Sequence, residues 1–230
     1  MAYKDLAVII IPTLNEKEGV GRTVGDVVRF VPGCRVLIID SFSEDGTADI
    51  ARDHGATVID APRGGKGLAV RSALPGIIST YLSKWYIMLD GDYTYPAKHI
   101  PAMLQELENG ADVVMGYRAS KEGDSMSRMN RIGNWGLSAL ASTLCMTRIR
   151  DVCTGMWGFS RRALCVFNLT SVGFTLEADF LMNTVRYHLK LAQIPIEYRS
   201  RADGSTTKLG IRDGFKIASF MIKNRPTGGY

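Results

Sequence analysis

The sequence predicts an α/β protein: a doubly wound, mostly parallel sheet with helices on both faces. Three observations carry this. Short apolar runs (Leu6 to Ile11, Arg35 to Asp40, Ala56 to Asp60, Trp85 to Leu89) alternate with segments of helical period, the pattern of strands joined by crossover helices. The first run is rich in β-branched residues and apolar throughout, as a strand covered on both faces is. Two runs end abruptly in carboxylates, at Asp40 and at Asp90-Gly91-Asp92, where open α/β sheets gather their ligands. With 230 residues, 46% of them hydrophobic, the chain can bury a sizeable core and is read as one domain over 1–230, with halves 1–118 and 119–230.

Taken in order, Leu6 to Ile11 is a strand expected to stop at Pro12, with Thr13 or Asn15 capping a helix from about Glu18. This turn is not GxGxxG, which weakens a dinucleotide-binding reading. Arg35 to Asp40 is the second strand. It leads through Ser41-Phe42-Ser43-Glu44-Asp45-Gly46-Thr47 into a helix Ala48 to His54, closed by Gly55. Ser43, Asp45 or Thr47 can cap that helix, and Asp40 can accept hydrogen bonds from a nucleobase or ribose. Ala56 to Asp60 precedes Arg63-Gly64-Gly65-Lys66-Gly67, a basic glycine-rich loop at a helix N-terminus. That is an anion site on physical grounds, without P-loop spacing. Its helix runs to about Ile78, and Pro75 is expected to kink or interrupt it.

After the fourth strand come a helix Lys98 to Asn109, stopped by Gly110, and a strand Asp112 to Gly116 delivering Tyr117 and Arg118. Ala119 to Ser127 is polar and read as mobile. Met129 to Met146 is an amphipathic helix with Arg128 and Arg131 at its leading end, either an ordinary packing helix or one that docks on a membrane surface. Asp151 to Arg161 is turn-rich, then strand-like. A helix Glu177 to Leu189 and a strand Leu191 to Tyr198 resume the α/β alternation. A polar loop, Arg201 to Leu209, precedes an amphipathic helix Ile211 to Ile222, and Lys223 to Tyr230 reads as a frayed tail.

The acidic doublet is the sharpest chemical signal. In an extended chain, side chains at i and i+2 point the same way, and Gly91 lets the backbone turn and a ligand approach. Converging carboxylates repel unless a cation lies between them, and hard oxygen ligands suit Mg²⁺ or Mn²⁺. Asp90 and Asp92 therefore read as a metal-assisted diphosphate site, or as a plain polar turn after a strand. The net charge of +5 suits phosphorylated ligands or an anionic membrane surface; with no Lys/Arg block it does not point to nucleic acid. Cys34, Cys145, Cys153 and Cys165 form no CxxC pair, and His54, His99 and His188 are scattered. Reduced thiols in a cytosolic compartment are expected, not a zinc site. The N-terminus lacks a signal-peptide pattern, and no run reaches the ~18 apolar residues of a membrane span.

The ordered set of motifs resembles family 2 glycosyltransferases, specifically their dolichyl-phosphate mannose synthase-like branch. The matching pieces are Pro12-Thr-Leu-Asn-Glu16, Asp40-x-x-Ser43-x-Asp45-Gly46-Thr47, Gly65-Lys66-Gly67, Asp90-x-Asp92, Gly116-Tyr-Arg118, Asp151-x-x-Thr154-Gly155 with Phe159, and Arg201-x-x-Gly204-Ser205 with Lys208-Leu209. The resemblance implies a GT-A fold, a nucleotide-diphosphate sugar donor (GDP-mannose or a UDP-hexose), Mg²⁺ or Mn²⁺, and inverting transfer to dolichyl or another polyprenyl phosphate. It implies that residues 1–118 bind the donor and 119–230 the acceptor. Carried across, Pro12, Asn15, Glu16, Asp40 and Lys66 line the nucleoside region, and Asp90 and Asp92 hold the metal. Arg118 and Arg131 meet the acceptor phosphate, and Arg201, Ser205 and Lys208 belong to the late loop over the phosphates. Asp151 is a base, a sugar-positioning group or a turn former. Two departures stand out: Thr94 occupies a position often held by Gln, and Ser41 follows Asp40 where a second acid is common. The implied enzyme is peripheral, on the cytoplasmic face of a membrane. Competing readings are a UDP-glucose or UDP-N-acetylhexosamine donor, a saccharide acceptor, a nucleotidyltransferase, and an inactive membrane-associated binding module.

Overall fold

A computed structural model describes residues 6–121, 128–200 and 210–225. The strands are β1 (Ala7–Thr13), β2 (Arg35–Asp40), β3 (Thr57–Asp60), β4 (Trp85–Met88), β5 (Val113–Lys121), β6 (Trp157–Ser160) and β7 (Leu191–Tyr198). The helices are α1 (Lys17–Phe30), α2 (Thr47–Asp53), α3 (Lys66–Thr80), α4 (Ile100–Glu108), α5 (Arg128–Leu144), α6 (Arg161–Val166), α7 (Leu176–Arg186) and α8 (Ile211–Lys223). One mixed sheet runs β3-β2-β1-β4-β6-β5-β7. Its pairs are parallel except where β6 lies antiparallel between β4 and β5.

The apolar runs make this sheet because both faces are covered. Along β1 the side chains alternate: Val8 and Ile10 enter one core cluster with Leu37, Ile39 and Met88, while Ile9 and Ile11 enter the other with Ile38, Ile87 and Leu89. The first cluster takes Val70 and Leu74 from α3, Phe180 and Leu181 from α7 and Ile217 from α8. The second takes Val20, Val24 and Val27 from α1 and Ile100, Met103 and Leu104 from α4. Helices thus lie on both faces, as expected. Each fully buried aliphatic side chain contributes about 1.5–3 kcal/mol, so a central strand with no exposed residue anchors the whole.

Several local expectations change. Pro12 does not end β1; it pairs with Ile39, and Thr13 pairs with Asp40. The Ile10 carbonyl accepts from Leu89 on the β4 side and the Thr13 carbonyl accepts from Ser41 on the β2 side. By alternation, Pro12 turns its missing N–H toward the side where β4 has already ended. Pro75 does not interrupt α3, which is continuous through it. That residue is exposed, so water can meet the carbonyl it leaves unpaired. β5 continues beyond Gly116 to Lys121, because β7 pairs with it along the whole length, with an irregularity between Arg118 and Ser120. The remainder of the expected mobile stretch, 122–127, lies outside the described residues.

Neither Thr13 nor Asn15 caps α1. Thr13 donates to Asp40 and Asn15 accepts from Glu44 N–H. The start of α1 is instead capped from across the sheet edge: Glu16 N–H donates to Thr47 Oγ1 (2.8 Å) and Lys17 N–H to Asp45 Oδ2 (3.1 Å). The other Asp45 oxygen accepts from the Thr47 N–H and hydroxyl, closing the start of α2. One carboxylate serves two helix N-termini, where negative charge is favoured, and these hydrogen bonds hold its pKa below the ordinary value despite the burial that opposes them.

Candidate active site

The C-terminal ends of β1, β2 and β4 meet at one edge of the sheet. β4 ends at Met88, and Asp90 to Tyr93 form a turn, with Tyr93 at φ 65°. The doublet is therefore not on extended chain, and the i, i+2 argument for its side chains does not apply. Gly91 serves packing: a Cβ there would meet the Thr13 methyl at 2.8 Å. Asp92 is buried, and its Oδ1 accepts from the Thr94 hydroxyl (2.6 Å) and N–H (3.2 Å). Thr94 thus acts as a donor to Asp92.

Asp90 meets a cation supplied by the chain itself. Lys66 Nζ, on the first residue of α3, lies 2.5 Å from Asp90 Oδ1 and 2.6 Å from Glu177 Oε1 on the first turn of α7. Burial alone would drive the ammonium toward neutrality. The two carboxylates outweigh it and hold the Lys66 pKa above the usual lysine range. The glycines around Lys66 allow close approach of backbones. A Cβ on Gly65 would lie 2.7 Å from Gly173 Cα, and one on Gly67 would crowd Ser171 and Val172 at 3.1 Å. The loop expected to cradle an anion instead packs against 171–173, and its lysine faces two carboxylates.

A second charged group lies alongside. Arg118 on β5 donates through Nε (2.6 Å) and Nη2 (2.7 Å) to the two oxygens of Asp151, and its backbone N–H donates to the same side chain (3.1 Å). Asn134 on α5 adds a fourth hydrogen bond at 2.9 Å. Both charged side chains are almost wholly buried, at 6% and 5% exposure. Burial pushes the Asp151 pKa up, but Arg118 overrides it and leaves it below the ordinary value. A carboxylate so held is a weak base, which disfavours the base role considered for Asp151.

Aromatic packing joins the two groups. The Arg118 guanidinium lies 5.2 Å from the Tyr198 ring centroid, and Tyr198 packs edge-on against Tyr95 at 5.2 Å. The Tyr95 hydroxyl accepts from Gly155 N–H at 2.7 Å, and burial holds that hydroxyl protonated. A Cβ on Gly155 would overlap the Asp90 carboxylate. An unbroken path thus runs from Asp90 through Gly155, Tyr95 and Tyr198 to Arg118 and Asp151.

The remaining expected residues divide clearly. Asp40 is buried, its oxygens accepting from Thr13 Oγ1, Ser43 Oγ and Ser43 N–H. Asn15 is exposed at positive φ (54°), beside Ser43 and Glu44. Glu16 is half-buried at the start of α1, and Pro12 is buried in β1. Pro12, Asn15, Glu16 and Asp40 are brought together at the β1–β2 edge. Arg131 is exposed on α5. Arg201, Ser205 and Lys208 lie outside the described residues. Glu177 was missed by the sequence reading. Its one signal, an acid in the first turn of a helix, is ordinarily a response to the helix dipole. Tyr95 and Tyr198 carry no sequence signal beyond core aromatics.

Among the described residues no three His, Cys, Asp or Glu side chains gather as a metal-binding set, and no helix is long and apolar enough to cross a membrane. Cys34, Cys145, Cys153 and Cys165 are free thiols.

A mostly parallel mixed sheet with helices on both faces and a carboxylate turn beyond β4 has the GT-A architecture. Residues 8–167 match the Glycosyl transferase family 2 model. The chain belongs to that family and is a glycosyltransferase. A dolichyl-phosphate hexose transferase of Haloferax volcanii is 33% identical over 226 residues, covering 96% of this chain and 94% of that protein. Glycosyltransferase AglJ of the same organism is 36% identical over 216 residues, covering 93% and 70%. Polyprenol monophosphomannose synthase of Mycolicibacterium smegmatis is 25% identical over 242 residues, covering 94% and 87%. Among solved structures, glucosyl-3-phosphoglycerate synthase of Mycobacterium tuberculosis, in complex with Mn²⁺, UDP and glucosyl-3-phosphoglycerate, superposes with a TM-score of 0.72. Its identity is 19%, with 95% of this chain and 78% of that chain covered.

Proposed function

We propose that this glycosyltransferase moves a hexose, with inversion, from a nucleotide-diphosphate sugar to dolichyl or another polyprenyl phosphate, with mannose from GDP-mannose the preferred donor. The observation that supports it most is Asp90 at the ligand edge of the sheet, its Oδ1 2.5 Å from the Lys66 ammonium, in a chain aligned along nearly its whole length with a dolichyl-phosphate hexose transferase. Residues 1–118 form the donor half and 119–230 the acceptor half.

The residues present fit a divalent cation. The donor set at Asp90 and Asp92 is hard oxygen, and Asp90 already accommodates a positive charge. Mg²⁺ or Mn²⁺ takes one or two carboxylates and completes its shell with substrate phosphates and water. When bound, the metal offsets charge developing on the departing nucleoside diphosphate. Pro12, Asn15, Glu16 and Asp40 hold the nucleoside. The acceptor phosphate, with a second pKa of about 6, is already largely a dianion at neutral pH and needs no strong base. Arg118 supplies positive charge beside it, oriented by Asp151, which acts as a positioning group. Arg131, Arg201 and Lys208 add positive charge for the phosphates, and Ser205 adds a hydroxyl donor.

A membrane surface is the second partner. Ile132 and Trp135 on α5 and Phe215 on α8 are more than two-thirds exposed, and Arg131, Arg212, Lys216 and Lys223 are exposed on the same two helices. Apolar side chains flanked by basic ones suit an anionic bilayer at the cytoplasmic face.

The test is transfer of labelled sugar from GDP-mannose, UDP-glucose and UDP-N-acetylglucosamine to dolichyl phosphate in detergent, with and without Mn²⁺. Metal-dependent labelling of the lipid phosphate, brightest with GDP-mannose and of inverted anomeric configuration by NMR, is expected. No labelling of the lipid phosphate with any of the three donors would overturn it.

A further inference from the structure

The Lys66 ammonium sits between Asp90 and Glu177, 2.5 and 2.6 Å from their oxygens. Lys66 and Glu177 are largely shielded from water, at 16% and 12% exposure, while Asp90 keeps 29%. The backbone that carries the lysine is held in place, since α3 begins at that residue and the flanking glycines press on 171–173, so any movement of the ammonium is confined to its side chain. Asp90 is equally confined, with Gly155 against its other oxygen. The carboxylate proposed as a metal ligand therefore holds an internal monocation in its place.

We infer that Lys66 is a resident counter-cation that keeps free divalent metal off Asp90, so that metal binds productively only together with a nucleoside diphosphate. This rests on the metal reading above. The argument is electrostatic. A dication arriving alone must displace an ammonium from Asp90 or share the carboxylate with it at close range, in a partly desolvated site where like charges repel strongly. A dication arriving with a diphosphate brings phosphate oxygens that accept from the ammonium as it leaves Asp90. A compact ammonium on a flexible stem, a point charge with rotatable donors, is suited to such an exchange. Glu177 stays with the lysine throughout, so the cation never lacks a partner. Lys66 and Glu177 are thus positioning residues that set the order of binding.

The test is calorimetric titration of Mn²⁺ into the full chain, alone and with saturating GDP or, separately, UDP. Wild type should bind Mn²⁺ weakly alone and far more tightly with one of the nucleotides. Lys66→Met, which keeps the side chain's bulk without its charge, should bind Mn²⁺ alone at least about tenfold more tightly, or 1.4 kcal/mol, with much of the nucleotide's enhancement lost. Should that variant not fold, Lys66→Gln reads the same effect. Unchanged or weaker Mn²⁺ binding in a folded variant overturns the inference while the metal reading stands. Absence of Mn²⁺ binding to wild type with either nucleotide would bring down the metal reading itself. A variant with lower activity but unaltered metal affinity would mark Lys66 as structural and count against the proposal.

Discussion

Lys66 and Arg118 each answer a buried or half-buried carboxylate, and they do so in opposite ways. Lys66 divides one ammonium between Asp90 and Glu177, beside an edge that keeps partial access to water. Arg118 gives a planar fork to both oxygens of one partner, is stacked on Tyr198, and is sealed from solvent. The first contact is radially symmetric, so its geometry makes no demand that only an ammonium can meet. The second is directional, and its geometry suits no replacement. The difference teaches how two positive charges are held at one site: one is shared between two carboxylates at the proposed metal ligand, and the other is locked in place by a single carboxylate.

Four changes break or sharpen that contrast. The largest effect belongs to Asp92→Asn, which keeps an oxygen for Thr94 but loses charge. Transfer to lipid phosphate should fall about a hundredfold or more, the several kcal/mol of charge stabilisation that a bound cation supplies, with the melting temperature nearly unchanged. Turnover that persists in this variant would remove the proposed metal-ligand side of the comparison. Next, Asp151→Ala leaves a guanidinium buried without its partner, so urea unfolding should show about 3–5 kcal/mol of lost stability. The pair Asp151→Leu with Arg118→Met should recover much of it, and a single-variant cost below 1 kcal/mol, roughly that of a surface pair, would show the joint is not fixed.

The third change is in pH. The folded-state pKa of Asp151 lies below its unfolded value because Arg118 overrides burial. Its contribution is therefore complete above the unfolded value of about 3.9 and is lost as pH falls below that, through the folded pKa. Asp151→Asn should flatten this acid limb of a stability–pH curve, and an unchanged limb would assign acid sensitivity elsewhere. The smallest effect serves as control. The exposed Asp49–Arg52 pair on α2 spans one helical turn, and Asp49→Ala should move stability by less than about 0.5 kcal/mol.

Much of the fold was legible because it is local. Apolar runs such as Leu6 to Ile11 and Trp85 to Leu89 announced strands. The antiparallel placement of Trp157 to Ser160 between β4 and β5 was not legible, since strand order depends on which edges are still unpaired once the chain has folded around them. Caps were misread for the same reason. Asn15 stands in sequence where a cap belongs, yet the donors of α1 reach Thr47 and Asp45, some thirty residues on. At the site, the acidic doublet and the Gly65-Lys66-Gly67 loop were each visible alone. Their pairing across 24 residues was not, nor was Glu177, a further 87 residues beyond Asp90. Alternation along the chain records burial but does not tell which distant carboxylate a lysine will find.

The shared capping of α1 and α2 by Asp45 and Thr47 has a dynamic consequence. The amides of Glu16 and Lys17 open to solvent only when the β2–α2 connection lets go of them. Deuterium uptake at those two positions will therefore track the unlatching of a neighbouring unit, not fraying of the helix they begin.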